Sequence, residues 1–160
     1  MQKLLTALSF IVLVAASTQA QKLVQTDGIV LNYTIKDGQF NAKVKAPTQG
    51  WIAVGFNTAD DIVGADLKMF RVLDGKAEAE DQLVTATGVH PADKHNELRV
   101  IAGNENPYGT TIQFSMPLNS GDKDDIALKA DKLYYIILAY STEDDFDHHS
   151  RVRKHLKFTL

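Results

Sequence analysis

An all-β fold, an antiparallel sandwich of nine to ten short strands, is what this sequence predicts, and three observations lead there. Apolar and polar residues alternate with period two, Asp-Gly pairs punctuate the alternating runs, and no stretch of 3.6-residue periodicity exceeds two turns. Ile29 to Lys36 is rich in β-branched and aromatic residues, and Phe40, Ala42 and Val44 then alternate with Asn41, Lys43 and Lys45. Asp37-Gly38 separates these two runs and signals a hairpin, because glycine tolerates the positive φ that a tight turn needs. Asp27-Gly28 and Asp74-Gly75 punctuate in the same way. Trp51 to Phe56, Leu67 to Leu73, Gln82 to Ala86, Leu98 to Ile101, Thr110 to Met116, Leu133 to Tyr140 and Leu156 to Leu160 complete the set of strands. Residues 88–96 and 104–109 read as short irregular loops, and 122–131 as one helical turn or an extended crossover. Many short strands with turns between them build a sandwich or a barrel.

The 160 residues hold 17 Lys plus Arg, 20 Asp plus Glu and no Cys. Lys3 supplies a positive start, Leu4 to Ala16 is largely apolar, and Thr18-Gln19-Ala20 places small residues at −3 and −1 before Gln21. That pattern is a signal peptide over residues 1–20, cleaved before Gln21, leaving one domain over 21–160 and an export destination, secreted or periplasmic. The apolar run is short for a bilayer span of about 20 residues, and no later run approaches that length, so no membrane span is expected after signal removal. Lys3 is the only charged side chain before Gln21, so the remaining chain carries −4. A mildly acidic chain without a basic block has no electrostatic footprint for nucleic acid. The absence of Cys excludes disulfides, thiol nucleophiles, Cys-held iron–sulfur or zinc sites and covalently attached haem.

GxSxG, GxxxxGK[ST], GxGxxG and HExxH are all missing, so no hydrolase, nucleotide or zincin signature supports catalysis. Two segments carry information. One is Gly50 to Asn57 (GWIAVGFN) with the following Asp60 to Asp66 (DDIVGAD). The other is Leu138 to Ser141, then Asp144 to His149 (DDFDHH), with Arg153 downstream. Together with Thr111 to Leu118 and Gly121-Asp122, these resemble the DOMON domain. That family's pattern runs Gly-Trp-aliphatic-Ala-aliphatic-Gly-Phe, then a Gly-Ala-Asp strand entry, then a late His loop before the final strand.

The resemblance covers most of residues 25–160. It implies an immunoglobulin-like, extracytoplasmic β-sandwich that binds haem or sugars, alone or fused to redox modules. It therefore implies a binding or electron-transfer module rather than an enzyme. Its ligand is haem b or, in the alternative, a carbohydrate or other small ligand, and a redox protein is the implied partner. In haem-binding members an imidazole and a thioether hold the iron, a pairing that suits low-spin haem and raises its potential. The imidazole position falls on His149, which would be the metal ligand, and the thioether position falls on Ile62, which cannot ligate iron. Met69 and His148 are the substitutes the sequence offers, and Arg151, Arg153 or Lys154 would offset haem propionates. The implied pocket lies at the end of the sandwich, between the loop at Asp60–Gly64 and the loop at Phe146–His149. Trp51, the single Trp, reads as a core residue or a sugar-stacking ring, and Asp66 as a loop-capping acceptor. Glu143, Asp144, Asp145, Asp147, His148 and His149 form a solvated acidic loop or, with Asp60 and Asp61, a cation site.

Overall fold

The computed structural model describes residues 20–160, so the leader expected over residues 1–20 lies, but for Ala20, outside them. Ten strands fill this stretch: β1 (Lys22–Thr26), β2 (Ile29–Lys36), β3 (Gln39–Ala46), β4 (Ile52–Asn57), β5 (Asp66–Leu73), β6 (Lys76–Leu83), β7 (Arg99–Asn106), β8 (Gly109–Pro117), β9 (Leu133–Tyr140) and β10 (Val152–Thr159). They form two antiparallel five-stranded sheets, ordered β1-β2-β3-β8-β7 and β10-β9-β4-β5-β6. This is the expected all-β sandwich. The three Asp-Gly pairs turn β1 into β2, β2 into β3 and β5 into β6. Both residues of each pair have positive φ, 45° and 81°, 51° and 74°, and 50° and 75° respectively, which matches the right-handed twist of the flanking strands. Residues 118–132 cross from one sheet to the other without a helix. Tyr134 pins that crossover, its hydroxyl donating to the Ala127 carbonyl at 3.0 Å and accepting from Lys129 N at 2.9 Å.

The space between the sheets is filled by the inward positions of both. Phe40 of the first sheet stacks on Tyr33 at 4.9 Å and meets Phe56 of the second edge-on at 5.5 Å, while Phe70 and Phe114 approach to 4.5 Å. Such pairs add about 0.5–1.5 kcal/mol each beyond their burial. The outer face of the first sheet is polar, with Asn32, Thr34, Asn41, Lys43 and Gln113, as expected where an antiparallel sheet meets water. The outer face of the second sheet is different. Trp51, Ala53, Leu67, Met69, Ile137 and Ala139 are all buried there, in a second apolar cluster covered by three loops. This is why every residue of β4 is buried.

One inward patch of the second sheet is ionic. Lys68 Nζ lies 2.6 Å from Asp66, 2.6 Å from Asp81 and 3.0 Å from Asp125 of the crossover, with Lys68, Asp66 and Asp81 almost wholly enclosed. Asp66 also accepts the Ile126 N–H at 3.1 Å, so the expected capping role holds and an ion cluster is added to it.

Candidate functional site

The register of the second sheet builds the floor of the site. Arg153, Ala139, Ala53, Met69 and Glu80 are successive Cα partners in one row across β10, β9, β4, β5 and β6. The next row runs His155, Ile137, Gly55, Leu67 and Gln82. Two alanines and a glycine at the middle of these rows leave a depression that larger side chains surround. Gly55 is required there: a Cβ would stand 2.4 Å from Leu67 Cδ2 and 3.3 Å from Ile137 Cβ. The result is a cavity of about 360 Å³, within the usual range for small-ligand sites.

Three loops wall it. The first, between β4 and β5, contributes Ile62, and Asn57 holds it closed by donating from Nδ2 to the carbonyls of Asp61 and Val63. The second follows β6 and contributes Thr87, Gly88 and His90. The third, between β9 and β10, contributes Asp147, His148, His149 and Ser150. Arg71 anchors that third loop. Its guanidinium donates to Glu78 and to the Asp144 carbonyl, and lies 4.6 Å above the Phe146 ring. Trp51 Nε1 donates to the His148 carbonyl at 3.2 Å. Gly50 is needed where the chains touch, since a Cβ would meet Glu143 N at 2.4 Å.

Trp51, Ile62, Met69, His149 and Arg153, singled out from the sequence, all line this one cavity. Its position differs from the expectation. The loops at 60–64 and 146–149 do face it, but it lies over the outer face of the second sheet and not at the sandwich end. The reason is steric: aromatic side chains fill the space between the sheets, whereas Ala53, Gly55 and Ala139 leave room outside. Trp51 belongs to the outer cluster and not to the core between the sheets, and Met69 stands in the floor beside it. Lys154 is directed elsewhere, pairing with Asp27 at 3.4 Å.

His148 and His149 differ in how they are held. Ser141 Oγ donates to the His149 carbonyl at 3.1 Å, so the short contact of 2.9 Å between Ser141 Oγ and His148 Nδ1 is a donation from the His148 ring. Among the described residues the His149 ring makes no hydrogen bond, and it stands exposed at the rim. The acidic loop does not gather its carboxylates. Asp60 faces His155 at 3.2 Å, Asp61 accepts from Val63 N, and Asp144 Oδ1 is buried without a partner among the described residues, burial raising its carboxyl above the ordinary range. Among the described residues, three carboxylate or imidazole groups converge only at Asp93, His95 and Asp122, and at Asp66, Asp81 and Asp125. Lys68 fills the centre of the latter.

The DOMON domain pattern matches residues 25–141, well over half of the chain. The protein belongs to the DOMON family. No curated protein matches it. Among solved structures, this DOMON chain is similar to the cytochrome domain of Myriococcum thermophilum cellobiose dehydrogenase, with 8% identity and a TM-score of 0.60. It is also similar to the cytochrome b domain of pyranose dehydrogenase from Coprinopsis cinerea, with 10% identity and a TM-score of 0.63. Each likeness covers 88% of this chain and 81% of the other, and at these identities it shows the fold. Among the described residues no helix is long and apolar enough to cross a membrane.

The donor set of this DOMON cavity fits a b-type haem. A broad apolar floor suits a porphyrin, imidazoles stand at the rim, and the Arg153 guanidinium at the mouth matches propionate charge. His90 and the ring environment of His148 are parts of the site that sequence reasoning missed. His90 sits in a loop whose sequence, GVHPADKHN, has no ligand spacing. The unbroken apolar run of residues 51–56 leading through β4 is the readable sign of a covered outer face, because a half-exposed strand alternates.

Proposed function

We propose that this protein is an exported DOMON-type binding module that takes b-type haem in the cavity on the outer face of its second sheet and serves in electron transfer. The supporting observation is the convergence of an apolar floor, His149 and Arg153 on one cavity. Two proteins of similar fold, the cytochrome domain of cellobiose dehydrogenase and the cytochrome b domain of pyranose dehydrogenase, support this reading. A bound haem iron carries one electron between its two oxidation states. His149 would hold the iron through a ring nitrogen, and Arg153 would offset a propionate. Ile62, Leu67, Met69 and Ile137 would exclude water from the porphyrin faces. Trp51 positions the histidine loop through its bond to the His148 carbonyl.

A sugar site would need an exposed aromatic face. Trp51 is 4% exposed and Tyr140 is 9% exposed, with Tyr140 facing the core between the sheets, so neither offers one in this cavity. The test is titration of the apo-protein with hemin, followed in the Soret region. Wild type binds with 1:1 stoichiometry, and His149→Ala weakens binding by at least about tenfold, about 1.4 kcal/mol. Absence of hemin uptake by wild type overturns the reading. Loss of binding in His148→Ala but not in His149→Ala contradicts the ligand assignment.

A further inference from the structure

We propose that His90 is the second axial ligand of the haem, so that the iron is held between two imidazoles; this rests on the haem reading above. Three observations carry it.

The first is orientation. His90 lines the cavity, and its Nδ1 lies 2.7 Å from Gln82 Oε1. The Gln82 amide nitrogen donates to Glu80 Oε1 at 2.6 Å. A carboxylate only accepts, so Gln82 must turn its NH₂ to Glu80 and its oxygen to His90. His90 Nδ1 therefore carries a proton, and in the neutral ring Nε2 keeps its lone pair. Gln82 is itself only 2% exposed, so this relay is a built support for the ring and not a surface accident. An imidazole whose Nδ1–H is held by a fixed acceptor, with Nε2 available, is the arrangement that metal-ligating histidines adopt.

The second observation is position. His90 follows β6 and His149 precedes β10, and these are the two edge strands of the sheet that floors the cavity. The two residues thus come to the same cavity from opposite edges of the sheet, so a flat group standing upright between them would meet one on each face.

The third is the tie between loops. Gly64 N donates to the Val84 carbonyl at 2.8 Å, and Val84 N donates to the Ala65 carbonyl at 2.9 Å. The Ile62 loop and the segment leading to His90 are thereby stitched into one wall. On that wall Ile62 offers no donor atom, and His90 does.

The experiment uses the full mature chain loaded with hemin. Electron paramagnetic resonance and near-infrared magnetic circular dichroism of the ferric protein identify the ligand pair, and apo-protein nitrogen-15 spectra report the His90 tautomer. Wild type is expected to be low-spin with a bis-imidazole signature, and apo His90 to be protonated on Nδ1. His90→Ala is expected to keep hemin but convert it to a high-spin form. Adding Ile62→Met to that variant restores a low-spin form, now imidazole–thioether, with a higher reduction potential. If wild type takes up hemin but His90→Ala leaves its spin state and spectrum unchanged, the His90 assignment is wrong while haem binding stands. If wild type takes up no hemin, both fall.

Discussion

Replacing Lys68 by Met removes the one cation from a nest of three acids without changing the length of the side chain much. The acidic oxygens of Asp66, Asp81 and Asp125 lie within 4.8 Å of one another, and the ammonium now sits 2.6–3.0 Å from each residue. Burial alone would push Lys68 down, but Asp66 and Asp81 outweigh it and hold the ammonium charged. Breaking a buried ion cluster by removing one partner costs about 3–5 kcal/mol, because the remaining charges stay enclosed and unpaired. At about 3 °C per kcal/mol for a chain of this size, Tm falls by about 10–15 °C near pH 8. The loss depends on pH with a definite sign. Without Lys68 the carboxyls of Asp66 and Asp81, raised already by burial, titrate higher still in the folded state. The variant therefore regains stability as they take up protons on acidification from about pH 8, and its gap to wild type narrows toward about pH 5. Thermal melts followed by circular dichroism at both pH values measure this. A Tm within about 2 °C of wild type at pH 8, or a deficit that ignores pH, refutes the reasoning.

Further outcomes follow from the same geometry. In wild type, burial pushes Asp81 up to about 7 and raises Asp66, Lys68 offsetting only part of the penalty. A raised folded value gives stability that is complete below about pH 4 and is lost as pH rises toward about 7. Each of the two carboxyls contributes a slope of at most about 1.4 kcal/mol per pH unit, and Asp81→Asn, read by denaturant titrations across that range, removes its share. Gly55→Ala places a Cβ 2.4 Å from Leu67 Cδ2, so it costs about 1–3 kcal/mol in urea unfolding and pushes Leu67 into the cavity. Arg153→Gln weakens hemin binding about two- to fivefold, in line with an exposed charge pair of about 0.5–1 kcal/mol, and hemin with esterified propionates shows no such difference. The chain recovered from an exporting host begins at Gln21 by intact mass; retention of residues 1–20 contradicts the signal reading.

The parts of the fold that the sequence displays are those where local chemistry and tertiary environment agree. Asp27-Gly28, Asp37-Gly38 and Asp74-Gly75 mark hairpins because backbone sterics alone demand such residues there. Strands on edges are harder to see. β1 (KLVQT) and β7 (RVIAGNEN) are half exposed, so neither face is uniformly apolar, and residues 104–106 extend β7 instead of forming a loop. β6 begins at Lys76 rather than Gln82, because its outer face carries Glu78, Glu80 and Gln82 and hides the alternation. β10 begins at Val152 rather than Leu156, since Arg153, Lys154 and His155 mask its start in the same way.

For the site, motif order along the chain brought Trp51, Ile62, His149 and Arg153 under one view. Nothing local reveals that the pocket lies outside the sheet, because this depends on Ala53, Gly55 and Ala139 meeting in register from two strands far apart in sequence. His90 depends on a contact with Gln82 eight residues earlier, across an irregular loop, and no periodicity announces it. Lys68 and its acids are dispersed over nearly sixty residues. Only folding assembles them.

The central claim is that haem occupies the outer face of the second sheet, and locating the iron is the direct measurement. Crystals of the hemin-loaded protein, with diffraction recorded at the iron absorption edge, place the metal by its anomalous signal. The peak is expected above the row formed by Ala139, Ala53 and Met69, within bonding distance of a His149 ring nitrogen. A peak on the polar face of the first sheet, at the end of the sandwich, or at a surface histidine remote from Trp51 would contradict the account.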